Sequence, residues 1–260
     1  MKACRWLFGF LLGVCCLTQG WAAPIALSDT ELSSVAAQGM IDLSNYAYAG
    51  NDFTRLTLNA DIQLNANLTG IQLGQYNYAP RNGTGSDIDI PLLSLGRSDG
   101  TDAQRLVTIN NPYLEFVFSG TGATQQVIGL RLGFGGISGD IGTQINQISG
   151  SLLINGGTAG NVDSSTDALG GERWDGSCAS GAANCLALSS VNAIQAGNSD
   201  GPSRDFFISM LKQAVQFAPA ASGMSAPATA QAGMWVNWTD RLQALLVNQT
   251  VPPNLPKTGH

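Results

Sequence analysis

Leu56-Thr57-Leu58-Asn59-Ala60-Asp61-Ile62-Gln63-Leu64-Asn65-Ala66-Asn67-Leu68 places an apolar or small residue at every second position, with Thr, Asn, Asp and Gln between them. A period of two belongs to a strand with one buried and one wet face. The run is longer than a usual strand, so either a bend interrupts it or it is one arm of a long hairpin. Ile71, Leu73, Tyr76 and Tyr78 extend the alternation, and Pro80-Arg81-Asn82-Gly83-Thr84-Gly85 stops it with a turn.

The same signal recurs outward from this arm. In Asp87-Ile88-Asp89-Ile90 the alternation points the two isoleucines inward and leaves the acids on a wet face, where they either share a calcium ion or stay solvated. Leu106-Val107-Thr108-Ile109 meets a turn at Asn110-Asn111-Pro112, and Tyr113-Leu114-Glu115-Phe116-Val117-Phe118 returns. In Val127-Ile128-Gly129-Leu130-Arg131-Leu132-Gly133-Phe134, the residues Ile128, Leu130, Leu132 and Phe134 share one face. Ile137-Ser138-Gly139-Asp140 and Ile148-Ser149-Gly150-Ser151 form a short repeat. Two Gly-broken copies fit rungs of a solenoid, and bulged strands of a sandwich fit equally. With 32 glycines and 44% apolar residues, the chain reads as all-β, a single elongated β domain of solenoid-like or sandwich form. A capping box of Ser28 and Glu31 adds a short N-terminal helix ending near Gln38.

Lys2 and Arg5, the apolar run Trp6 to Thr18 and the small residues Gly20, Ala22 and Ala23 read as a signal peptide over 1–22. The mature domain would be 23–260, with a Gly-rich loop over 156–184 and a loose C-terminal tail. Loss of the leader's two basic residues shifts the net charge from −6 to −8. That balance, and arginines scattered singly, argue against a nucleic-acid partner. No later run is long and apolar enough for a transmembrane segment. Export places the product in the periplasm, on the outer membrane surface or outside the cell. Of the five cysteines only Cys178 and Cys185 lie beyond the leader, in a polar loop bound for an oxidising compartment, so they read as a disulfide.

Catalytic chemistry finds little support. The one histidine, His260, is the last residue and ill placed for proton transfer or zinc binding, and no serine sits in a nucleophile elbow. A carboxylate-based hydrolase needs two acids held together, and nothing in the sequence brings any pair into register. No catalytic residue, cofactor or metal site is assigned. Trp235 and Trp238 either close the core or join Tyr76 and Tyr78 as a platform for a carbohydrate, another small ligand or a partner.

The opening Ser28 to Gln38, the arm Leu56 to Leu73, Asp87 to Leu95, Asn111 to Phe116, Val127 to Leu132 and Ile148-Ser149-Gly150 resemble FilA-like proteins, exported proteins of a pilus system in Gram-negative bacteria. The likeness runs from about Ser28 to Leu153 and carries no catalytic residues with it. It implies an exported structural or surface-associated protein with envelope or pilus-system partners. Exposed sheet edges, which the sequence does not locate, could support such assembly by strand addition.

Overall fold

The computed structural model describes residues 39–255. The expected signal peptide, the Ser28 to Gln38 helix and His260 lie outside the described residues. The described chain is all-β. Its strands are β1 (Ile41–Tyr48), β2 (Asn51–Leu58), β3 (Asp61–Leu64), β4 (Ala66–Tyr78), β5 (Gly83–Leu95), β6 (Val107–Ser119) and β7 (Gln126–Gln144). They continue as β8 (Gly150–Asn155), β9 (Asn161–Asp163), β10 (Val191–Ala196), β11 (Phe207–Leu211), β12 (Gly233–Trp238) and β13 (Leu242–Val247).

The alternating run that opened the sequence is divided among three strands. Its first residues finish β2 and the next form β3, which pair in succession with the two halves of β6. At Asn65 the chain leaves that layer, and β4 runs on as one arm of a long hairpin with β5. A 3-10 turn closes the hairpin at Ala79–Arg81, with Asn82 left-handed at its end. Both a bend and a hairpin arm are therefore present.

Two layers share the long strand β7. Its first part lies between β6 and β11, and its last part between β5 and β10. Gly139, at φ 133, marks the crossing, a conformation that side chains with a Cβ rarely adopt. β8 makes the same passage, pairing parallel with β12 at its start and touching β13 at Asn155. The pairings β7–β11–β12–β8–β13–β10–β7 thus close a ring, while β1, β2 and β6 extend one layer beyond it. Strands that switch sheets at bends are how packed sheets turn corners. Most pairings are antiparallel, and no pairing joins β7 to β8, so the two Ile-Ser-Gly copies are not stacked rungs. The solenoid reading gives way to a two-layered sandwich.

The main core fills the space between the layers with Ile88, Val107, Ile137, Ile141, Ile154, Val191 and Trp238. The Gly-rich stretch 156–184 is packed rather than loose: Val162 and Trp174 are buried in this core, and Ser164 Oγ accepts from Leu152 N at 2.9 Å. A second cluster, of Phe53, Val117, Phe207, Leu211 and Trp235, lies on the other side of the β2–β6–β7–β11–β12 layer. The Ala/Pro/Ser-rich excursion after β11 closes over it, contributing Val215, Phe217 and Ala230, with Val215 and Ala230 bridged as strand partners. The tail is not loose over 251–255. Asn254 Nδ2 donates to Leu95 O at 2.9 Å, Asn67 Nδ2 donates to Asn254 O at 2.7 Å, and Ser98 N donates to Pro253 O at 2.7 Å. Those bonds satisfy backbone groups where the chain changes layers.

Candidate functional site

The four aromatic residues singled out in the sequence are not brought together. Trp235 and Trp238 sit on opposite faces of β12, each buried, one in each core cluster. Tyr76 and Tyr78 flank Arg173, whose guanidinium carbon lies 4.6 and 4.5 Å from their ring centroids. Their faces already hold a cation. Asp87 is not on a wet face. It is buried, Arg173 Nε lies 2.9 Å from its Oδ1, and Met234 N donates to its Oδ2 at 2.9 Å. Burial pushes its carboxyl above the usual aspartate value, against the lowering effect of Met234 N–H and Arg173. Cys178 and Cys185 form a disulfide with Cα atoms 5.8 Å apart.

The two faces of the β1–β2–β6–β7–β11–β12 layer carry the features that bear on function. On the face under the excursion, strand register aligns Arg55 with Glu115, Glu115 with Arg131, Arg131 with Ser209 and Ser209 with Trp235. Glu115 is fully buried. Its Oε2 accepts from Arg55 Nε at 2.7 Å and from the Tyr46 hydroxyl at 2.8 Å, and its Oε1 accepts from Arg131 Nε at 2.5 Å. Arg131 stacks against Phe217 of the excursion at 4.2 Å, and Arg55 against Tyr113 at 4.2 Å. One carboxylate thus holds two guanidinium groups under an aromatic roof. Burial, reinforced by Glu115, pushes the Tyr46 phenol up to about 12.

On the opposite face, register aligns Leu43 with Leu56, Leu56 with Leu114, Leu114 with Leu132, Leu132 with Ile208 and Ile208 with Val236. At the Ile208 and Val236 end this row packs into the main core. At the other end the second layer no longer covers it: Leu43 is 63% exposed and Leu132 54%. Ile41, Phe116 and Met210 are exposed beside them. Across β1, β2 and β6 this face offers only Asn45, Asp52 and Thr54 as polar positions. Ile128 was expected to share it. A register shift beside Val117 leaves Ile128 without a partner on β6, and its side chain is buried in the second cluster instead.

A cleft of about 580 Å³ opens between the covered face and residues 218–228 of the excursion. Its floor is Tyr113, Arg131, Phe207 and Asn237, and Arg204, Asp205 and Asp240 stand at its wall. The acids here are engaged as structural acceptors. Asp205 takes Thr239 N at 2.9 Å, Thr239 Oγ1 at 2.5 Å, Asp240 N at 3.0 Å and Asn237 Nδ2 at 3.1 Å. Asp163, also lining the cleft, accepts from Ser165 N at 2.9 Å.

No protein-family model, curated protein or solved structure matches the chain. Among the described residues no helix is long and apolar enough to cross a membrane, and no group of three or more His, Cys, Asp or Glu side chains is placed to hold a metal ion. The Arg55–Glu115–Arg131 cluster and the cleft were missed in the sequence. The available signal was that these three residues occupy matching parity in strands that pair.

Proposed function

We propose that the protein is an exported structural component of the cell envelope that assembles with a second copy of itself through the open apolar face of its sheet. A pilus system, implied by the FilA-like resemblance, is the setting attached to this reading, and no catalytic activity is assigned. The observation that carries it is the uncovered row from Leu43 to Leu132, continued by Phe116 and Met210. Monomeric proteins rarely expose contiguous apolar patches beyond a few hundred Å².

The choice of a second copy rests on chemistry. The patch is nearly free of charge, so two copies facing each other meet no like-charge repulsion, and sheets stack readily face to face. An anionic membrane surface is a poorer match, because such surfaces are recognised by clustered Lys and Arg, and Lys212 is the one lysine among the described residues. The Cys178–Cys185 disulfide supports an oxidising compartment.

Light scattering on the full chain purified from cells tests the assembly. A dimer that dissociates on dilution is expected, and Leu43→Lys with Leu132→Lys should give a folded monomer. A wild-type monomer from nanomolar to near-millimolar protein, or a dimer indifferent to both lysines, would overturn it. Vesicle binding abolished by the same substitutions in a monomeric wild type would assign the face to lipid instead. Recovery of the native protein in the cytosol on cell fractionation would refute export.

A further inference from the structure

We propose that β1 pairs edge to edge with β1 of a second copy, antiparallel about a two-fold axis at Ser44, so that the two sheets run on as one. This contact goes beyond the face-to-face one and does not rest on it, because it uses the rim of the sheet and not its apolar surface.

The first observation is that β1 is a free edge. Among the described residues it pairs with β2 alone. Met40 O accepts from Asn59 N at 2.8 Å, and the two strands stay in register from Ile41 to Tyr48. Backbone groups alternate sides along an antiparallel strand, so the even-numbered residues of β1 turn theirs to β2, while Ile41, Leu43, Asn45 and Ala47 turn theirs outward. All of these outward residues are exposed.

The second observation is that this edge is unprotected. A row of free N–H and C=O groups templates another strand, so edges are normally kept short, covered, or interrupted by lysine, proline or a bulge. β1 is eight residues long and holds no Lys, Pro or Gly and no register shift. The other strands with a single strand partner are β3, β4 and β9. β3 has four residues and β9 three. The edge of β9 is further closed, as Asn161 N donates to Asn184 O at 2.7 Å and Asn161 O accepts from Leu186 N at 2.9 Å. In β4, Gly70 and Gly74 at φ 66 drop out of the pairing, and Ala66 O accepts from Asn254 Nδ2 at 3.3 Å.

The occupant is a second copy because β1 complements itself. Facing residues share a side of the sheet, so residues of equal parity must meet. With Ser44 on the axis, Ile41 faces Ala47 and Leu43 faces Asn45 of the second copy, and every outward residue finds a partner for its N–H and C=O. An axis at Leu43 would set Ala47 against Gly39, and one at Asn45 would set Ile41 against Ala49, both beyond the strand. An axis at Asp42 would oppose two carboxylates. On the Ser44 axis Asp42, the one charged residue of β1, faces Tyr46 instead.

A chain with two different self-complementary contacts builds assemblies larger than a dimer. The edge is the weaker contact, because its hydrogen bonds replace bonds to water and it buries little apolar surface. It therefore adds larger species only above the concentration at which the face contact forms.

Disulfide trapping on the full chain tests the edge. Facing residues that exchange no hydrogen bonds, as Ser44 and its mate would be, have Cα atoms about 4.5 Å apart, inside the roughly 4.4–6.8 Å that a disulfide spans. Ser44 lies opposite Arg55 on the covered side of β1, so stacked open faces do not bring two copies of it together. Cys178 and Cys185 are bonded to each other and do not compete. Mild oxidation of Ser44→Cys at near-millimolar protein should link most of it into dimers on a non-reducing gel. Asp42→Cys, on the same side of the strand and more exposed, would stand about 13 Å from its mate and should link about tenfold less. Asn45→Pro removes an outward N–H that β2 does not use, and in the Ser44→Cys chain it should abolish the link while circular dichroism shows the fold retained. The link should persist with Leu132→Lys, which breaks the face contact alone, so the two contacts fail separately. No link in Ser44→Cys, equal linking in Asp42→Cys, or a link untouched by Asn45→Pro would overturn the proposal.

Discussion

The two faces of the β1–β2–β6–β7–β11–β12 layer invert the usual relation between charge and burial. The covered face carries Arg55, Glu115 and Arg131, with Glu115 fully buried, while the facing positions Leu56, Leu114, Phe116 and Leu132 look outward. Charged side chains are almost never fully buried unless paired, and here one buried carboxylate pairs with both guanidinium groups. One face is closed within the chain by the Phe217 excursion, and the other has the composition of an interior with no cover among the described residues.

The sharpest way to break this comparison is at Glu115. Glu115→Gln leaves two guanidinium groups with no compensating charge beneath Phe217, and should cost about 3–5 kcal/mol in chemical denaturation. The combined change Arg55→Met, Glu115→Leu and Arg131→Met removes the whole ionic group and should recover most of that loss. If Glu115→Gln cost less than about 1 kcal/mol, as exposed ion pairs do, the arginines would be hydrated and the face would not be covered in solution.

A paired substitution compares the faces directly. Leu211 is buried on the covered face and Leu132 is exposed on the open one. Leu211→Ala should destabilise by about 2–5 kcal/mol at any protein concentration. In dilute protein Leu132→Ala should cost no more than about 0.5 kcal/mol, and its effect should grow with concentration as the dimer forms. A loss above about 2 kcal/mol for Leu132→Ala in dilute protein would mean that the chain covers this face with its own residues, and assembly through it would fail.

Strand existence was legible because alternation survives in a single sequence. Leu56 to Leu68, Asp87 to Ile90 and Tyr113 to Phe118 all became strands, and the turn expected over Pro80 to Gly85 formed at Ala79 to Asn82, with Gly83 to Gly85 already paired in β5. Which face is buried was not legible. Alternation separates Arg131 from Leu130 and Leu132 but says nothing about the layer that each side meets, and tertiary cover from residues 212–232 decided it. The same blindness made Asp87 look wet, since its partner Arg173 is distant in sequence. A register shift moved Ile128 to the other side, and no periodicity argument contains an inserted residue. The disulfide was legible because its residues are close in sequence and few cysteines compete. The Asn237 and Tyr113 cleft was not, because it requires the neighbours of β6, β7, β11 and β12, and polar composition made the excursion resemble a loose linker.

The gentlest probe of the covered face is alkaline pH. Tyr46 ionises at about 12 in the folded chain because burial and the Glu115 carboxylate both oppose a phenolate, whereas an ordinary tyrosine ionises at 10.0. The folded state therefore holds this proton more tightly than the unfolded one. The associated stability is complete below pH 10 and is lost as pH rises through about 12. Tyr46→Phe forfeits the hydrogen bond to Glu115, so it should begin slightly less stable at neutral pH and then lose less than wild type between pH 10 and 12. Denaturation midpoints across that interval measure the difference, with Tyr48→Phe as the control on the same strand. Parallel loss in wild type and Tyr46→Phe would show that the Tyr46 hydroxyl is solvated, and that the cover over the Arg55–Glu115–Arg131 row opens before the strands separate.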